Sequence, residues 1–313
     1  MSVIQFSDAI KDYGSGKRIG PVSLSVNEGE ILGFLGPNGS GKTTCIRLLL
    51  GLMRPTSGSV SVRGLDPVSE HRKALVNVGY SPELPNIQTF LTPRELLALT
   101  AEELIVPKAE VSHEIASTLE IVGLTEYTNV KVSKLSKGMV QRLSIAQALI
   151  GTPDLLVMDE PMIGLDPAGA AHFREVFRRI AKERGGTIFL SSHIMSEVES
   201  LCTSVCMIHR GRMLFNGTIK ETIGNVLGST FLIVEAEPVE NCLESIRGIS
   251  GVEEVRRMDG SRTVELKVTL GKDVRPNVAE AVIRSGAKLY SLSYSEDLLE
   301  RTYLEALKKG TNF

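Results

Sequence analysis

The stretch "GPNGSGKTT" spans residues 36 to 44. Three glycines surround a turn, and a lysine and two threonines close it. It fits G-x-x-x-x-G-K-[ST], the pattern of a loop that cradles phosphates with successive backbone N–H groups. Working outward, "EILGFLG" (30–36) precedes it as a short apolar run and "KTTCIRLLLGLM" (42–53) follows with apolar residues at helical spacing. Strand, glycine loop and helix start is the context that a triphosphate-binding loop requires. Gly36, Asn38, Gly39, Ser40, Gly41, Lys42, Thr43 and Thr44 are therefore candidate nucleotide-binding residues. Lys42 is expected to reach the β- and γ-phosphates, and the Thr43 hydroxyl to bind Mg²⁺.

Further apolar runs, "LLVMD" (155–159), "TIFLSS" (187–192) and "SVCMIH" (204–209), read as buried strands of a largely parallel sheet. The first ends in Asp159 and Glu160. A buried strand delivers its last residues to the sheet rim beside the phosphate loop. Asp159 is expected there as a Mg²⁺ ligand and Glu160 as the base that polarises water in line with the γ-phosphate. Such an acid points to a nucleotide hydrolase, because a kinase must exclude that water.

Residues 84 to 134 have a helical texture, as in "TPRELLALTAEELI" and "KAEVSHEIASTLEIVGL". Thr92, Pro93 and Glu95 mark a helix start. Another helix opens at "KLSKGMVQRLSIAQALI" (134–150), with Ser136 as its N-cap.

That last stretch resembles the signature motif of ABC-type ATPases, L-S-G-G-Q-x-Q-R, through Leu135, Ser136, Gly138, Gln141 and Arg142. The order of motifs also resembles that family. "GLDP" (164–167), with Asp166, is like its D-loop; "SSHIMSEVE" (191–199) carries His193 like its switch histidine; Tyr13 stands where an aromatic stacks on adenine; and Glu83 in "GYSPEL" stands where glutamine is usual. The resemblance covers about 220 residues. It implies a P-loop NTPase core with a mixed sheet and a helical insertion (about 84–150), within a domain spanning 1–225. It implies ATP and Mg²⁺ as ligands, with Thr43, Asp159 and Glu83 near the metal. It also implies a head-to-tail dimer in which the Ser136 helix of one subunit completes the ATP site of the other.

Lys137 and Met139 depart from the signature, and Met162 and Ile163 replace the hydroxyl residues usual before "GLDP". Lys137 either adds charge near phosphate or lies in solvent.

From about residue 230 the rhythm changes. "TFLIVEAE", "VENCLESIRGI", "VEEVRRMD", "RTVELKVTL", "VRPNVAEAVIRSG" and "KLYSLSYS" read as βαββαβ, with a hairpin at Asp259-Gly260 and a closing helix. This suggests a ferredoxin-like α+β module over 230–313.

The chain of 313 residues carries a formal charge of −2, which disfavours a nucleic-acid binder working through a dominant basic surface. No stretch approaches 18 apolar residues, and the N-terminus lacks a basic segment before an apolar core, so neither a membrane span nor a secretion signal is expected. The four cysteines form no C-x-x-C pair and read as small buried hydrophobes in a reducing compartment. The family resemblance implies an exporter-type ATP-binding subunit on the inner face of the cell membrane. Its partners would be an integral membrane permease and a second ATP-binding subunit, the same chain or a different one. The alternatives are a non-transport ABC ATPase acting on nucleic acid or the ribosome, or a ligand-regulated ATPase.

Overall fold

The computed structural model describes residues 2–14, 16–258, 262–295 and 297–309. They fall into two compact units, divided between Asn216 and Gly217.

The first unit begins with β1 (Ser2–Asp12), β2 (Arg18–Asn27), β3 (Ile31–Leu35), α1 (Lys42–Leu49) and β4 (Ser57–Val62). It continues through α2 (His71–Ala74), β5 (Val78–Ser81), α3 (Pro93–Glu103), α4 (Lys108–Ile121) and α5 (Lys137–Leu149). Then come β6 (Leu155–Asp159), α6 (Pro167–Arg184), β7 (Thr187–Ser192), α7 (Met195–Leu201), β8 (Ser204–His209) and β9 (Arg212–Thr218). Six strands form one sheet in the order β5-β6-β7-β3-β8-β9. The pairs from β5 to β8 are parallel. β3, β6 and β7 are buried along their whole length, which is why they read as unbroken apolar runs.

An antiparallel sheet, β2-β1-β4, packs through the same core. These strands were not singled out from the sequence. β1 alternates cleanly at Ile4 and Phe6, and then its pairing with β2 shifts between Phe6 and Ala9, where Asp8 takes φ +46°. A bulge of this kind breaks the period-two signal. Between the sheets, α1 contributes Cys45, Ile46, Leu48 and Leu49 to the core, and the Phe34 and Phe189 rings stack at 5.5 Å.

The helical insertion consists of α3, α4 and the start of α5. α3 opens as expected: Thr92 Oγ1 accepts from Glu95 N, Glu95 reaches back to Thr92 N, and Pro93 is the first helical residue. α6 is capped by Asp166 and closed by Gly185 at φ +67°.

The second unit comprises α8 (Ile219–Leu227), β10 (Ser229–Glu237), α9 (Leu243–Arg247), β11 (Val252–Arg257), β12 (Thr263–Thr269), α10 (Arg275–Arg284), β13 (Lys288–Tyr294) and α11 (Leu298–Lys309). Its antiparallel sheet runs β11-β12-β10-β13, the order of a split βαβ module. A separate core holds it together, with Leu232, Val234, Leu266, Val278 and Val282 fully buried. The division falls before α8, upstream of the 225/230 boundary expected from the sequence, because α8 packs on α11 and β10. The expected turn at Asp259-Gly260 lies outside the described residues; β11 and β12 pair antiparallel on either side of it.

All four cysteines are buried and unpaired. Burial pushes the Cys45 thiol up to about 12, and Cys202 and Cys206 are likewise raised by burial, so these groups behave as apolar filling.

Candidate functional site

The loop after β3 is shaped by its glycines. At Gly36 a Cβ would lie 2.3 Å from the Ile208 carbonyl oxygen. Gly41 has φ +116°, a conformation L side chains rarely adopt, and a Cβ there would lie 2.8 Å from Ile19. Lys42 follows and is buried at 6% exposure. Its ammonium donates to the Gly36 carbonyl at 2.6 Å and lies 3.0 Å from Glu160 Oε1, an ion pair rather than a directed hydrogen bond. The Ser40 hydroxyl is buried with no hydrogen-bond partner among the described residues. A buried, orphaned hydroxyl beside a buried ammonium and open N–H groups fits a bound phosphate. Thr43 and Thr44 are half-buried on the first turn of α1. Tyr13, from the β1–β2 connection, places its hydroxyl 3.0 Å from Thr44 Oγ1, so this aromatic stands beside the loop.

β6 carries the two acids to the same place. Asp159 Oδ1 accepts from Ser191 Oγ at 2.5 Å, and the same hydroxyl accepts from Glu160 N at 3.0 Å. Ser191 is the last residue but one of β7, and sequence reasoning did not single it out. The only hint is a hydroxyl at a strand end level with two acids. Glu160 has φ +50°, uncommon for a residue with a Cβ and typical of strain retained at functional sites. Its carboxylate is 4% exposed and accepts from His193 Nδ1 at 2.9 Å. Lys42, Glu160 and His193 thus form one chain of contacts, drawn from α1, β6 and the β7–α7 turn.

The α5 residues form a second group. Ser136 accepts from Met139 N at 3.3 Å as N-cap, and both Ser136 and Lys137 are exposed. Gly138 abuts the Gly164 carbonyl, where a Cβ would come to 2.7 Å. Arg142 reaches Asp166 Oδ1 at 3.3 Å and the Val122 carbonyl at 3.4 Å, while Asp166 caps α6 through Gly169 N. The Asp166 side chain is therefore engaged within its own chain. Ser136, Gly138, Gly164 and Asp166 line a cavity of about 450 Å³. Gln141 Nε2 donates to the Pro161 carbonyl, joining this helix to the residue after Glu160. Glu83 lies half-buried in the connection after β5.

Residues 19–163 match a family described as ABC transporter. The bacitracin transport ATP-binding protein BcrA of Bacillus licheniformis is 44% identical over 213 residues, covering 68% of this chain and 69% of that protein. The chain belongs to the ABC transporter ATP-binding subunits. The linearmycin resistance ATP-binding protein LnrL of Bacillus subtilis (strain 168) is 32% identical over 307 residues, 96% of this chain and 97% of that one. That alignment therefore extends through the second unit. Among solved structures, an ATP-binding subunit of an ABC transporter superposes with a TM-score of 0.67 at 29% identity, covering 72% of this chain and 94% of that one.

This ABC subunit is accordingly an ATPase that drives transport, and subunits of its kind work with membrane-spanning permeases. No helix among its described residues is long and apolar enough to cross a membrane. Of the departures from the family pattern, Met162 is buried at 6% and Ile163 is exposed at 37%. The first of these side chains faces inward, where it serves packing.

Proposed function

We propose that this subunit binds ATP with Mg²⁺ at the loop of residues 36–44 and hydrolyses it with Glu160 as general base. The observation that carries the reading is the buried pair Lys42–Glu160, with His193 on the same carboxylate, at the rim of the parallel sheet. A buried cation held by a buried acid is a site prepared for a stronger anion. Phosphate oxygens compete for Lys42, and Glu160 is then left to align a water molecule and take its proton as the water oxygen bonds to the γ-phosphorus and the bond from that phosphorus to the β,γ-bridging oxygen breaks, releasing ADP and phosphate. His193 keeps the Glu160 carboxylate oriented. Ser40 and the loop N–H groups hold the β-phosphate, and Tyr13 stacks on adenine. Asp159, Thr43 and Glu83 would hold Mg²⁺, which would neutralise developing charge on the phosphates. Few protein ligands suffice, since Mg²⁺ retains waters and binds phosphate oxygens.

Exposed Ser136 and half-buried Gly138, at the positive end of α5, complete the ATP site of a facing copy together with the backbone around Asp166. ATP then joins the two subunits, and hydrolysis loosens them. The membrane permease docks on the helical insertion, at the inner face of the cell membrane. The direction is export: LnrL is named for resistance, and resistance to a compound is served by moving it outward.

Glu160→Gln is expected to bind ATP normally while turnover falls about 100-fold or more. In gel filtration with ATP it runs as a dimer, and without ATP as a monomer. Turnover at the wild-type rate would remove Glu160 from its role, and an ATP-loaded monomer would remove the shared site.

A further inference from the structure

Behind His193 stands a second acid that the reaction above does not use. Glu197 lies on the first turn of α7, and its Oε2 accepts from Ser192 Oγ at 3.0 Å. The Ser192 hydroxyl accepts in turn from Ile194 N at 3.0 Å. Ser192 is also tied to the phosphate loop, because its carbonyl accepts from Gly36 N at 3.2 Å. The turn carrying His193 is thus anchored to the loop through its backbone and to α7 through one hydroxyl. His193 itself is more than a third exposed, so packing alone does not fix the imidazole on Glu160.

Placing an acid here has a cost. Burial raises the Glu197 carboxyl, the Ser192 hydrogen bond opposes that, Glu160 raises it further, and His193 and Arg174 lower it. The acid in turn raises the Cys202 thiol at the far end of α7. A helix of seven residues needs no half-buried acid to close its first turn, whereas a hydroxyl that sets a neighbouring side chain needs a fixed acceptor.

We propose that Glu197 is a positioning residue for ATP hydrolysis: by holding the Ser192 hydroxyl it fixes the turn that sets His193 on Glu160. The inference rests on the reading of Glu160 and His193 given above. It places the effect on turnover rather than on ATP affinity, because the phosphate loop keeps its own contacts through Lys42 and the glycines.

The test is steady-state ATP hydrolysis by the full chain, with thermal unfolding recorded for every variant. Glu197→Ala and Ser192→Ala are each expected to lower kcat about 10-fold, with KM for ATP within about twofold, since misplacement of a reacting group by an ångström costs up to about 100-fold. Glu197→Gln retains an acceptor oxygen and should stay within about threefold of wild type. The double variant should be no slower than either single one, because both remove the same contact. A wild-type kcat for Ser192→Ala or Glu197→Ala overturns the proposal. So does a loss confined to KM, a Glu197→Gln variant as slow as Glu197→Ala, or multiplied losses in the double variant. If Glu197→Ala does not fold, Ser192→Ala and Glu197→Gln decide the matter. Glu160→Gln measured alongside separates the two levels. An active Glu160→Gln sinks the reading of the site, whereas an inactive one beside wild-type Ser192→Ala and Glu197→Ala sinks only the positioning role.

Discussion

The Lys42 ammonium donates to the Gly36 carbonyl at 2.6 Å and the Pro37 carbonyl at 3.5 Å and pairs with the buried Glu160 carboxylate. Two consequences follow from the same side chain. With ATP present, a charged hydrogen bond is worth about 1.5–3 kcal/mol. Its loss in Lys42→Ala is therefore expected to weaken ATP binding about 10- to 100-fold. Without ATP, the substitution leaves Glu160 buried with only His193 beside it. Removing one partner of a buried pair costs about 3–5 kcal/mol, and His193 holds the cost near the lower end. Lys42→Ala should accordingly unfold at lower urea concentration than wild type even without nucleotide; Glu160→Gln keeps an acceptor oxygen beside the ammonium, which also has the Gly36 carbonyl, and should show a smaller loss. Equal urea midpoints for wild type and Lys42→Ala would mean that the ion pair contributes nothing to the fold.

At the scale of elements, much of the site follows from linear pattern. The loop needs glycine at Gly36 and Gly41 for reasons of backbone space, and those residues stand in the sequence for anyone to read. Asp159, Glu160 and His193 lie at the ends of wholly buried strands, and a buried strand has only its end to offer to solvent. Ser191 was not legible, because its partner depends on lateral register; Glu197 reaches only five residues back to Ser192, but that contact follows from the fold of the turn at His193. Pairing of Asp159 with Ser191 across β6 and β7 places the hydroxyl on the acid, and no local pattern encodes that. β1, β2 and β4 escaped notice for a related reason, since bulges interrupt their alternation. The α5 element invites a test of its own. Gly138 permits the start of α5 to approach the Gly164 carbonyl closely, and a methyl group there must push the two segments apart. Overpacking of this kind costs about 1–3 kcal/mol. Gly138→Ala is expected to keep the ATP affinity of the isolated subunit, measured by nucleotide fluorescence. In the Glu160→Gln background it should weaken the ATP-dependent dimer about 10-fold or more, as read by concentration-dependent gel filtration. An undiminished dimer would place α5 away from the shared site.

For the whole molecule, the rhythm of the sequence changes near residue 230, whereas the two compact units divide between Asn216 and Gly217. α8 has a strong capping box at Thr218 and Glu221 and reads equally well as the last helix of the first body. Its packing on β10 and, above all, on α11, some seventy residues downstream, assigns it to the second, and a contact of the longer range leaves no local trace. Each unit has an unbroken core of its own, one around Phe34 and Phe189 and one around Leu232, Leu266 and Val278. A body of roughly 100 residues with one core is large enough to be stable by about 5–15 kcal/mol. Division between Asn216 and Gly217 should therefore yield two folding fragments. The fragment ending at Asn216 retains the loop, both acids and His193. It is expected to unfold cooperatively and bind ATP within about threefold of the full chain, a difference below 1 kcal/mol. A division after residue 225 instead strands α8 without α11 and β10. It leaves the amphipathic side of that helix, with Thr222 and Ile223 buried in the intact chain, exposed on the first fragment. That longer fragment should be the more prone to aggregate at equal concentration, read by light scattering during a thermal ramp. If it proved the better behaved of the two, α8 would belong with the ATPase body after all.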